Sequence, residues 1–179
     1  MAEITTHRNW TGRALFLGIA FVIVFVQLLP LQTFPPDWAG PDMLLAITVV
    51  WVTRRPDHVP MVLIAGLFLL VDLLFQRPPG LMAALVLILT EFLRARTAGF
   101  RSLPFGLEWG TVAIGIVAVT LANRFVMMLV MLPQAPMGLT LWQMVLTILI
   151  YPIVAGLAFA AFGMHRATSG EFTSFGGRT

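Results

Sequence analysis

The sequence contains no cysteine and no lysine. The first absence excludes a disulfide-stapled secreted domain, thiol catalysis, iron–sulfur clusters and cysteine-based zinc sites. The second removes a P-loop lysine, a Schiff-base lysine and a lysine general base. Charge is scarce too: 11% of the 179 residues are charged and 59% are apolar, with a mean hydropathy of +0.92. A soluble domain of this size needs a polar surface that such a composition cannot supply. The chain therefore reads as an integral membrane protein. No stretch is long and polar enough for a soluble domain, and no internal repeat is evident.

What remains is a series of apolar runs separated by turns and arginines. A helix crosses a bilayer with about 20 apolar residues. The first run, Ala14 to Leu31, follows Arg8 and Arg13 and carries only Gln27 as a strongly polar member. It resembles a signal peptide, but no small-residue cleavage site follows, so it is expected to stay as a helix. The second run, Met43 to Thr53, would cover only about half of a bilayer core. It is either a tilted span or a half-length segment buried in protein. Pro41 suits its first turn, and Asp42 suits its positive N-terminal end. The third run spans Val59 to Phe75, the fourth Gly80 to Leu93, the fifth Leu107 to Leu132 and the sixth Leu139 to Gly163. Pro152 should kink the sixth. Residues 1–13 read as an N-terminal segment, 14–163 as the membrane domain and 164–179 as a polar, disordered tail.

The pI near 11.0 would suggest nucleic acid in a soluble protein. Here the arginines mark topology instead. With six spans, nine of them (Arg8, Arg13, Arg54, Arg55, Arg94, Arg96, Arg101, Arg166 and Arg178) fall on one side. Arg77 alone lies opposite, and Arg124 sits inside a span. The positive-inside rule then places both termini in the cytoplasm and requires the short second run to cross. Trp10, Trp38, Trp51, Trp109 and Trp142 fall near the expected interfaces, as an aromatic belt.

Few residues could carry chemistry. Asp72 lies in the outer half of the third span, where an ionisable group needs a partner. Arg124 reaches a similar depth, so a pair between the two is geometrically possible, with helix stapling as its simplest role and a contact to a partner or ligand as the alternative. Glu91 reads as a carboxylate snorkelling beside Arg94 and Arg96. Glu108 suits a helix N-terminus and Asn123 suits interhelical glue. His7, His58 and His165 read as surface residues, and no H-E-x-x-H or G-x-S-x-G pattern exists. An enzyme reading would need Asp72, Glu91 and a histidine to converge on a cleft. Small residues spaced for close packing occur at Ala14 and Gly18, Ala118 and Ala122, and Gly156 and Ala160.

The run PDMLLAITVVWVTRRPDHVP and the following AGLFLLVDLLFQRPPGLMAALVLILTEFL resemble the rod shape-determining protein MreD family. The resemblance rests on Pro41-Asp42, Trp51, the Arg55-Pro56 turn, Gly66 and Asp72 six residues apart, and the Pro79-Gly80 turn. It is best over residues 28–95, although Phe75 and Gln76 stand where a glycine is expected. It implies an all-α, six-helix fold like that of the substrate-binding subunits of energy-coupling vitamin transporters. It also implies a non-enzymatic subunit of the bacterial inner-membrane elongasome, without cofactor or metal. Partners would be MreC, then MreB, RodA and a class-B penicillin-binding transpeptidase, with membrane lipid and no nucleic acid. Asp72, Arg124, Asp42, Arg77, Gly66 and Gly80 are the candidate partner and packing residues. The alternative is a small-molecule-binding subunit of an energy-coupling transporter, which needs an outward polar pocket. Its candidate lining is Asp37, Asp42, Asp72, Arg77, Asn123, Arg124 and Gln134.

Overall fold

A computed structural model describes residues 2–29, 39–100 and 104–162, and the side chains of residues 10–29, 39–96 and 104–160. The expectations for Asp37, Trp38, Arg101, His165, Arg166, Arg178 and the tail lie outside the described residues, as do those for the side chains of His7 and Arg8. Among the described residues there are six α-helices and no strand. They are α1 (Ala2–Leu28), α2 (Met43–Arg54), α3 (Met61–Leu74), α4 (Leu81–Phe100), α5 (Phe105–Leu129) and α6 (Met137–Phe162). A short 3-10 turn, Pro56–His58, joins α2 to α3. Three helices, α1, α5 and α6, are long and apolar enough to cross a membrane. The second and third are apolar but short, and α4 carries Glu91, Arg94 and Arg96 in its second half.

The first helix begins at Ala2, well ahead of the apolar run, so residues expected as a separate N-terminal segment continue the same rod. The short α2 is the buried centre of the bundle. Leu44 to Val52 are all buried, and α1, α4 and α6 pack around them. Twelve residues make about 18 Å of helix, too short for a lipid-facing span but suited to a segment wrapped in protein. Trp51 shows the consequence. It was expected at an interface, yet it is 2% exposed and packs against Phe16 with ring centroids 5.8 Å apart. Its position on a helix enclosed on all sides outweighs the interfacial preference of tryptophan. Trp10 and Trp142 are exposed.

Around α2, the core is completed by Ile64, Phe68 and Val71 of α3, Val86, Leu89 and Leu93 of α4, Val112 and Ile116 of α5, and Tyr151 and Val154 of α6. Among lipid tails such contacts hold by close fit and hydrogen bonds, since lipid is as apolar as a leucine side chain. The tight spot between α4 and α5 is Gly115, where an added Cβ would strike Leu89. The other close approach is Gly12 on α1, which His58 covers. His58 is thus half-buried against α1, a correction to its surface reading. Of the small-residue pairs, Ala14, Gly18, Gly156 and Ala160 are exposed, as are Ala118 and Gly66, while Ala122 is half-buried; an added Cβ at Gly18, Gly66 or Gly156 meets nothing.

Helix α6 contains Pro152, which cannot donate to the carbonyl of Ile148 one turn earlier. The indole N–H of Trp109 on α5 donates to that carbonyl instead, at 3.0 Å. The interruption in α6 thereby becomes a joint between α5 and α6.

Candidate functional site

The polar residues away from the arginine-rich end gather where α1, α3 and α5 finish and α2, α4 and α6 begin. Asp42 is the first of them. Its side chain caps α2 by accepting from the Leu45 N–H at 2.9 Å, as its sequence position implied. Pro41 stands ahead of this cap rather than in the first turn. The Asp42 N–H donates to Thr147 Oγ1 at 2.9 Å, which ties α2 to α6. Burial raises the Asp42 carboxyl above its ordinary value, while the Leu45 N–H and the charge of Arg77 act in the opposite sense.

Beside Asp42 lies a cavity of about 230 Å³. Its polar lining includes Arg77, Thr120, Asn123, Arg124, Gln134 and Gln143. Of the residues named from sequence for an outward pocket, Asp42, Arg77, Asn123, Arg124 and Gln134 line this one space. Arg124 is held in place by its Nη1, which donates to Ala135 O at 3.1 Å and Thr140 Oγ1 at 2.9 Å. Asn123 faces the cavity and reaches Met127 Sδ of its own helix at 3.8 Å, so it is not glue between helices. A wider groove of about 740 Å³ adjoins the cavity and shares Asp42, Arg77, Met82 and Gln143 with it.

Asp72 does not pair with Arg124. Its Oδ2 accepts from the N–H groups of Gly80 at 3.1 Å and Ala83 at 3.2 Å. Gly80 occupies the N-cap position of α4 and has no side chain to cap it. Asp72, fully buried at the end of α3, supplies the missing acceptor from the neighbouring helix. Gly80 is needed for the turn itself, because its φ of +86° lies in the left-handed region. Similar depth along two helices made a pair with Arg124 possible, but depth says nothing about which faces meet, and the two residues take different partners.

At the opposite end the structure reveals a buried polar group that the sequence reading passed over. Glu108, expected only as a helix-dipole residue, is 2% exposed. Arg54 Nη2 approaches its Oε1 at 3.4 Å, and the hydroxyl of Tyr151 donates to the same oxygen at 2.8 Å. Thr53 Oγ1 lies 3.3 Å from the Tyr151 hydroxyl. Helices α2, α5 and α6 are joined by this group. One signal was available: the chain's single tyrosine stands in an apolar helix, where a buried hydroxyl must find a partner. Nearby, Glu91 pairs with Arg94 at 3.0 Å, close to expectation. Arg94 also donates to the carbonyls of Pro56 at 3.2 Å and Val59 at 2.6 Å, clamping the turn before α3.

Asp72 therefore caps the first turn of α4, while Glu91 lies about 12 Å further along that helix than Ala83, at the arginine-rich end. The convergence that an enzyme reading required is not formed. Among the described residues no three His, Asp or Glu side chains gather as a metal site. No family model, curated protein or solved structure matches the chain.

Proposed function

We propose that the chain is a non-enzymatic scaffold of the bacterial inner membrane that works as MreD does. In this reading it binds the single-pass protein MreC and so links MreB filaments to RodA and a class-B penicillin-binding transpeptidase. The observation that carries the reading is the use made of the resembling residues. Asp42 caps α2, Trp51 fills the centre, Arg55 and Pro56 form the turn into α3, and Asp72 with Gly80 locks α3 to α4. The motif is thus the framework of one interlocked unit, α2 to α4, rather than a set of reacting groups.

Six crossings with both termini in the cytoplasm suit this arrangement. The arginines of the α2–α3 and α4–α5 connections then face the cytoplasm, and the Asp42 cavity faces outward. The exposed small residues of α1 and α6 leave shallow lanes where the backbone of a single-pass helix can approach closely. Affinity purification from membranes in mild detergent should bring down MreC, and depletion should turn rods into spheres. Rod-shaped cells after full depletion would refute the proposal.

The outward cavity favours a second reading, a substrate-binding subunit of an energy-coupling transporter. That protein would co-purify with ATPase subunits and a vitamin in place of MreC.

A further inference from the structure

The cavity and the groove beside it differ in character and meet at a shared border. The cavity is polar and carries two guanidinium groups and one carboxylate, from Arg77, Arg124 and Asp42. The groove runs between the last turns of α1 and α3; Val26, Leu29, Leu44, Phe68, Val71 and Phe75 form its apolar wall, and Gln27 joins the shared Asp42, Arg77 and Gln143 as its polar part. A polar chamber opening onto a slot with one apolar wall fits an amphipathic molecule better than a water-soluble one. Arg124 makes its two hydrogen bonds through Nη1 alone, which leaves Nε and Nη2 for a ligand. A guanidinium edge of this kind matches phosphate oxygens in a bidentate manner. Asp42 is held to α2 by the N–H groups at the start of that helix and places its carboxyl on the lining of both spaces, where it would repel a headgroup with a second negative charge. It would attract an ammonium group.

We propose that cavity and groove together form a binding site for one aminophospholipid, with phosphate between Arg124 and Arg77, ammonium at Asp42 and an acyl chain along the groove. The inference does not depend on the scaffold reading, because it uses only the lining of the two spaces.

Native mass spectrometry of the full chain tests it, after exchange into nanodiscs of equal phosphatidylethanolamine and phosphatidylglycerol. The expected result is one retained phosphatidylethanolamine per chain. Asp42→Asn preserves the capping oxygen and should abolish the preference between the two lipids. Arg124→Gln should lower occupancy about tenfold, the loss of one charge-assisted hydrogen-bond set. Val26→Trp, which fills the groove from an exposed position, should displace the lipid while thermal unfolding stays that of the parent. A chain that retains no lipid overturns the proposal, as does one that holds phosphatidylglycerol equally well. So does glycerophosphoethanolamine protecting parent and Val26→Trp alike against thermal unfolding, which would make the site one for a soluble phosphate ester. Retained lipid in all three variants is equally fatal.

Discussion

Asp72 is a capping residue whose helix is not its own. Replacing it with alanine leaves the N–H groups of Gly80 and Ala83 without their acceptor inside the bundle, a loss of about 1.5–3 kcal/mol for bonds to a charged group. Asparagine keeps one acceptor oxygen and should cost less. Thermal unfolding in detergent, followed by tryptophan fluorescence, should rank parent above Asp72→Asn above Asp72→Ala, and equal midpoints for all three would refute the capping role. Glu108 obeys a different rule. Glu108→Ala strands the Arg54 guanidinium and leaves the Tyr151 hydroxyl only Thr53 Oγ1, with an expected cost of about 3–5 kcal/mol. The double variant Arg54→Met, Glu108→Leu removes both charges and should be more stable than Glu108→Ala alone, a comparison read from denaturant midpoints. At this scale the sequence was legible where a partner is local, as with Asp42 and the Leu45 N–H or Glu91 and Arg94. It was silent where the partner comes from a distant helix, because Glu108 meets Arg54 and Tyr151 only once α2, α5 and α6 are assembled.

At the scale of elements, apolar runs and turn residues located every helix to within a few residues at most ends. The start of α1 and the end of α4 were missed, since both continue through polar residues that can face solvent without breaking a helix. The joint at Pro152 makes a further prediction. Trp109→Phe should cost about 1 kcal/mol, because the Ile148 carbonyl loses its donor. In a Pro152→Ala background the helix supplies its own N–H, so the same substitution should cost little. A double-mutant cycle on thermal stability measures the difference, and additive effects would show that the indole is not replacing a helix bond.

For the whole molecule, the absence of cysteine gives a direct test of topology. Asp57→Cys and Met131→Cys place single thiols at exposed positions of opposite ends of the bundle. An impermeant maleimide added to spheroplasts should label Met131→Cys and reach Asp57→Cys only after lysis. The reverse order would invert the proposed orientation, and equal labelling of intact spheroplasts would contradict six crossings. The all-helical plan of six segments was readable because length and apolarity act on whole segments. The central position of α2 was not, since a short buried helix and a tilted span share one hydropathy pattern. The reach of each buried charge also sets an order of events at the translocon. Both N–H groups that donate to Asp72 Oδ2 follow it within eleven residues, so α3 and the first turn of α4 can leave the channel as a hairpin that already carries these two bonds. Arg54 pairs instead with a carboxylate three helices further on. A ribosome stalled at the end of α4 would therefore hold a nascent chain in which Asp72 already has both of its N–H donors and Arg54 still lacks its carboxylate.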